Sequence, residues 1–138
     1  MNTENQEFIL IDDDMIVLKF CKMLLSKTVC GADIKIFSVP EEGLAFLHSF
    51  SIAPGKRNPV VLFLDINMPT MSGWEFLEQF DLLHDDIKNA IRIYILSSSV
   101  DDRDRERASA NKYVIDYLVK PISKEAISQI SHILNAVQ

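Results

Sequence analysis

Residues 60–65 read VVLFLD: five apolar side chains in a row, then an acid. A short, unbroken apolar run is what a strand buried on both faces requires, because successive side chains point to opposite sides and neither side meets water. Such a strand belongs at the centre of a parallel sheet covered by helices on both faces. Asp65 then falls at its carboxyl end.

Working outward, apolar runs and amphipathic stretches alternate along the whole chain, the pattern of strands that each lead into a covering helix. The other strand candidates are Phe8–Ile11 continuing into Asp12, Ile34–Phe37, Ile91–Leu96 and Val114–Val119, the last stopped by Pro121. Helical spacing predicts a helix over Asp14–Ser26 with Ile16, Val17, Phe20, Met23 and Leu24 as its apolar positions. It also predicts one opened by Pro40 with Leu44, Phe46 and Leu47, one over Gly73–Leu83 with Phe76, Leu77 and Phe80, and one over Ile122–Val137 with Ile127, Ile130, Ile133 and Leu134. Asp101–Ala110 has few apolar residues and reads as a short, marginal, solvent-facing helix. Ser51–Asn58, with Pro, Gly and basic residues, reads as a surface loop. A regular (βα)5 alternation of this length implies an α/β, flavodoxin-like doubly wound parallel sheet, strand order 2-1-3-4-5, whose ligands sit beyond the carboxyl ends of the strands.

The 138 residues fit a single domain, residues 1–138 with a folded core over about 7–137, and are too few for that core plus an output module. A formal net charge of −6 disfavours nucleic acid and anionic membrane surfaces as partners. The polar N-terminus is no signal peptide and no apolar run reaches the length of a bilayer span, so a soluble cytoplasmic protein is expected. Cys21 and Cys30 lack metal-ligand spacing and read as reduced structural thiols. His48, His84 and His132 are scattered on helices and read as solvated, and Trp74 reads as a packing or surface anchor.

The strand ends carry Asp12 and Asp13 after the first run, Asp65 after the third, Ser97 after the fourth and Lys120 after the fifth. Carboxylates gathered in one cleft repel unless a cation neutralises them, and a hard divalent ion such as Mg²⁺, held by one or two carboxylates beside a phosphate, suits the set; Mn²⁺ could substitute. Lys120 supplies a fixed positive charge, Ser97 a hydroxyl donor and Asp65 a carboxylate able to act as nucleophile. Singly, each has an ordinary structural explanation. Asp14 reads as a helix N-cap, Lys120 as a solvated lysine and Ser97 as a cap for the helix from Asp101. Together, four strand ends converge on phosphoryl transfer.

IDDD at 11–14, LDINMP at 64–69 followed by SGWEFL at 72–77, ILSSS at 95–99 and YLVKP at 117–121 occur in this order, and over almost its whole length the chain resembles the receiver domain of two-component response regulators. The resemblance implies a stand-alone phosphoacceptor that takes a phosphoryl group from a phosphohistidine onto Asp65. It implies that Asp12 and Asp13 organise Mg²⁺, that Asn67 gives its backbone carbonyl to the metal, that Ser97 follows the phosphate on activation with Tyr117 swinging inward, and that Lys120 contacts the phosphate. The Lys120–Pro121 bond is expected to be cis. Implied partners are a sensor histidine kinase or histidine phosphotransfer protein packing near the first helix, and a downstream protein target. The chain would catalyse its own phosphorylation and dephosphorylation rather than turn over an external substrate. Two departures stand out. Where the family has a glycine before the fifth strand this chain has Ala110, Asn111, Lys112 and Tyr113, and Asn111 is expected to take the glycine's place with left-handed backbone angles. Ser98 replaces a common alanine, and Ser99 stands where residues that tune dephosphorylation vary.

Three other readings compete: a phosphohydrolase with Asp12 as nucleophile, a degenerate receiver that only binds, and a flavodoxin-type redox carrier. Ile16 departs from the usual hydrolase motif, the full site set argues against degeneracy, and no phosphate loop follows the first strand.

Overall fold

The computed structural model describes residues 6–50 and 59–136; the Ser51–Asn58 loop and Val137 lie outside the described residues. The element order is β1 (Glu7–Ile11), α1 (Met15–Thr28), β2 (Asp33–Phe37), α2 (Pro40–His48), β3 (Val60–Leu64), α3 (Gly73–Asp81), α4 (Asp85–Ala90), β4 (Ile91–Ser97), α5 (Asp102–Ala110), β5 (Val114–Val119) and α6 (Lys124–Ala136). The five strands are parallel and lie in the order β2-β1-β3-β4-β5, the doubly wound arrangement expected from the alternation.

β3 is central and buried throughout. Its pleat divides it between two cores. Val60, Leu62 and Leu64 join Ile9, Ile11, Ile93 and Ile95 beneath α2 and α3, while Val61 and Phe63 join Phe8, Leu10, Tyr94 and Leu96 beneath α1 and α6. Phe8 and Phe63 stack across the β1–β3 ladder with ring centroids 6.3 Å apart. Burying side chains of this size stabilises by about 1.5–3 kcal/mol each, so the sheet is held mainly from above and below.

The helices depart from the sequence reading in instructive ways. α1 buries Leu18, Cys21 and Leu25, a stripe with i, i+3, i+7 spacing, rather than the face expected. Ile16 is 80% exposed, and Phe20 and Met23 also face outward. The helix carries apolar residues on two faces, and periodicity alone could not say which one the sheet would cover. α6 buries Ile127, Ile130 and Leu134 but leaves Ile133 exposed. α4 was not expected at all: it is one and a half turns long and buries a single residue, Ile87, too little for a periodic signal. Local chemistry starts it instead, with the His84 Nδ1 accepting the Asp86 N–H at 3.1 Å and two acids in the first turn. His48 and His132 are exposed.

Asn111 corrects a second expectation. Its φ of −88° and ψ of 123° are extended, not left-handed, and no non-glycine residue among those described has a positive φ. Its side chain accepts the Tyr113 N–H at 2.9 Å, closing the turn without the glycine's backbone. Cys21 is buried and Cys30 exposed, both as free thiols. No described helix is long and apolar enough to cross a membrane.

Candidate functional site

The parallel sheet brings the carboxyl ends of β1, β3, β4 and β5 to one edge, and ladder hydrogen bonds continue just beyond the strands. The Asp65 N–H donates to the Ile11 carbonyl at 3.0 Å, the Asp12 N–H to the Phe37 carbonyl at 3.2 Å, and the Lys120 N–H to the Ser97 carbonyl at 2.8 Å. Backbone pairing therefore fixes the roots of the side chains before they touch. Asp12, Asp13 and Asp65 each present a carboxylate oxygen, all within 4.8 Å of one another, with Asp12 and Asp65 buried and Asp13 exposed. Lys120 is only 15% exposed in its side chain, and its Nζ lies 2.5 Å from Asp12 Oδ2 and 3.6 Å from Asp65 Oδ1. It is not an ordinary solvated lysine.

One lysine among three carboxylates leaves the cluster with excess negative charge. Burial, with the charge on Asp12 adding to it, pushes Asp65 up to about 6 despite the opposing pull of Lys120 and the N–H groups of Ile66 and Asn67. Burial also works against the charge on Lys120, but the carboxylates of Asp12 and Asp65 outweigh it and hold the ammonium above the usual lysine range. Burial raises the thiol of Cys21 to about 11, with Asp12 contributing, which keeps it neutral beside the cleft. Three oxygen donors, two of them buried and one held back from ionising, fit a hard divalent cation such as Mg²⁺. Asn67 is exposed on the loop that follows Asp65.

The loops around the cluster are fixed by local sequence. Asp12 Oδ1 accepts the Asp14 N–H at 2.9 Å, and Asp14 in turn caps α1 by accepting from Ile16 at 2.9 Å and Val17 at 3.4 Å. Asp65 Oδ1 accepts the Ile66 N–H at 2.9 Å. Ser72 and Glu75 form a capping box at the start of α3. At Gly73 a Cβ would lie 2.5 Å from the Asp65 carbonyl oxygen and 2.9 Å from Ile66 Cα, so only a glycine lets the helix press against the backbone that carries Asp65. The Lys120–Pro121 peptide is cis.

Ser97 is fully buried, and its Oγ accepts the Ser99 N–H at 3.2 Å. It does not cap α5; Asp101 does that itself. The sequence reading has Tyr117 swinging inward on activation, but here the ring is 9% exposed, packed in the α2–α3 core, with its hydroxyl donating to the Ser99 carbonyl at 2.8 Å. Sequence reasoning gave Ser99 only a tuning position; its place between Ser97, Tyr117 and α5 depends on the turn after β4, which no periodicity reveals. Trp74 is half-buried against the same core, with the Arg107 guanidinium 4.6 Å from its ring centre.

A cleft of about 630 Å³ lies elsewhere, between α4, β4 and the start of β5, lined by Lys88, Arg92, Lys112 and Tyr113, and includes none of the strand-end groups. The void behind Asp12 and Asp65 is only about 10 Å³.

A family model described as the response regulator receiver domain matches residues 8–132. Among curated proteins, the chain is 34% identical over 80 residues to an uncharacterized response regulatory protein of Staphylococcus epidermidis, covering 58% of this chain and 28% of that protein. It is 29% identical over 124 residues to the transcriptional regulatory protein BtsR of Escherichia coli, covering 88% of this chain and 44% of BtsR. The chain therefore spans less than half the length of these curated relatives. Among solved structures, a response regulator receiver protein from Dyadobacter fermentans superposes with a TM-score of 0.82 at 28% identity, covering 95% of this chain and 96% of that one. A two-component response regulator from Cytophaga hutchinsonii superposes with a TM-score of 0.80 at 27% identity, covering 96% and 98%.

Proposed function

We propose that this chain, which belongs to the response regulator receiver domain family, accepts a phosphoryl group from a phosphohistidine onto Asp65 and signals through partner surfaces rather than by turning over a substrate. The observation that carries the reading is the convergence of Asp12, Asp13, Asp65 and Lys120 at one sheet edge, with contacts that separate their roles. Asp12 is a poor nucleophile because it spends Oδ1 on the Asp14 N–H and Oδ2 on Lys120, which counts against the phosphohydrolase reading. Asp65, buried at the end of the central strand with Lys120 3.6 Å away, is the carboxylate assigned to attack, and the exposed Asp13 is left to the metal. One of its oxygens forms the new P–O bond while the P–N bond of the donor breaks and its electron pair returns to the imidazole nitrogen. Lys120, anchored by Asp12, sits where it can follow a phosphoryl oxygen, and the Ser97 hydroxyl is the donor from the neighbouring strand. Asp12, Asp13, Asp65 and the backbone carbonyl of Asn67 would hold Mg²⁺, or Mn²⁺ in its place, which when bound neutralises negative charge on the phosphoryl oxygens.

The outward apolar face of α1 supports the partner side of the reading. Ile16, Phe20, Pro121 and Ile122 line an apolar groove of about 480 Å³ that runs to Lys120 at the edge of the cluster. A helix of a histidine kinase or histidine phosphotransfer protein lying there brings its phosphohistidine to Asp65. That the phosphorylated receiver acts on a downstream protein target belongs to the same proposal. The test is incubation with acetyl phosphate and Mg²⁺ followed by intact mass: the parent chain gains one phosphoryl group and Asp65→Asn gains none. Full uptake by Asp65→Asn would overturn the assignment.

A further inference from the structure

Ser99 makes four hydrogen bonds that join the turn after β4 to α5 and β5. Its N–H donates to Ser97 Oγ at 3.2 Å, its carbonyl accepts the Tyr117 hydroxyl at 2.8 Å, its Oγ accepts the Asp101 N–H at 3.3 Å, and its hydroxyl donates to Asp104 Oδ2 at 2.6 Å. The last is the short, charge-assisted one, and Asp104 stands on α5, a helix with only Ala108 buried. With its oxygen accepting from Ser99, the hydroxyl of the fully buried Ser97 donates to no acceptor among the described residues. A buried hydroxyl with an unspent proton is costly unless an acceptor arrives, and an oxyanion on Asp65 is such an acceptor.

We infer that Asp104 is a positioning residue for phosphoryl acceptance: by holding the Ser99 side chain it fixes the turn that aims the Ser97 hydroxyl and keeps Tyr117 inward. The inference rests on Asp65 being the phosphoacceptor. Asp104 touches neither metal nor phosphate; it lowers the cost of ordering the turn when the phosphoryl group arrives, because the turn is ordered beforehand. α5 is thereby coupled to the site through a side chain. By thermodynamic reciprocity, a partner that binds α5 more tightly in the phosphorylated form also favours that form to the same extent.

The test measures the affinity of the full chain for beryllofluoride with Mg²⁺, by calorimetry, in a double-mutant cycle on Asp104→Ala and Ser99→Ala. Each single variant is expected to weaken binding about ten-fold, and the double variant no further, because both remove the same contact. Asp104→Asn, which keeps an acceptor oxygen, is expected to lose much less, a split that general loss of stability would not produce. Thermal melts of the same variants report stability separately, and if Asp104→Ala does not fold, Ser99→Ala and Asp104→Asn carry the comparison. Parent-like affinity in Ser99→Ala or Asp104→Ala, or additive losses in the double variant, would overturn the inference while leaving Asp65 intact. No binding by the parent chain would overturn the phosphoacceptor reading, and this inference with it.

Discussion

Asp65 is held between two protonation states by its surroundings. Burial and the charge of Asp12 raise it to about 6, so the folded chain holds a proton there more tightly than the unfolded chain does. For an acid this sign means that the ionised carboxylate costs stability above pH 6. The cost shrinks as pH falls through about 6, and it is gone below about pH 4. A rise from 3.8 to about 6 corresponds to about 3 kcal/mol. In chelator, Asp65→Asn should therefore be more stable than the parent at pH 8 by up to about that amount, the two converging near pH 4, as read by urea unfolding at each pH. Equal stability at pH 8 would show that the cluster carries no such cost. The acids and the lysine of this site were legible because each ends an apolar run, and a parallel sheet must gather such ends. The state of Tyr117 was not, because whether a ring at a strand end lies in or out is decided by the turn it meets, here the Ser99 carbonyl.

At the scale of elements, α3 and α5 attach to the site by opposite means. α3 relies on contact: Gly73 donates its N–H to the Ile66 carbonyl at 2.8 Å and leaves no room for a Cβ. Gly73→Ala must push the helix or the Asp65 loop aside, at an expected cost of about 1–3 kcal/mol. Phosphoryl uptake should fall with it, checked by denaturant unfolding and intact mass on one preparation. α5 relies on side-chain links, with Asp104 on Ser99, Arg105 5.0 Å from the Tyr117 ring centre and Arg107 over Trp74. The sequence showed α5 to be marginal and wet, from its lack of apolar residues. It could not show which way α1 would turn, since Leu18, Cys21 and Leu25 and the outward Ile16, Phe20 and Met23 make equally good stripes. Nor could it show α4, whose start depends on a histidine cap.

For the whole molecule, the order β2-β1-β3-β4-β5 puts β3 between β1 and β4, and all three strands feed both cores. Phe63 stacks on Phe8 and lies 5.9 Å from the Tyr94 ring centre, so Phe63→Ala should cost about 3–5 kcal/mol by denaturant unfolding. The amides of Val61, Leu62 and Phe63 should exchange with solvent only through global unfolding, whereas those of α5 open far more readily, as followed by hydrogen exchange. Exchange of β3 at the rate of α5 would contradict the shared-core description. β3 pairs on both sides with strands distant in sequence, and Asp65 is one peptide bond beyond it. A chain that lacks β1 or β4 cannot complete the pairing that sets where Asp65 stands. If Asp65 is the phosphoacceptor proposed above, a phosphoryl group found on it marks a chain whose sheet has been assembled.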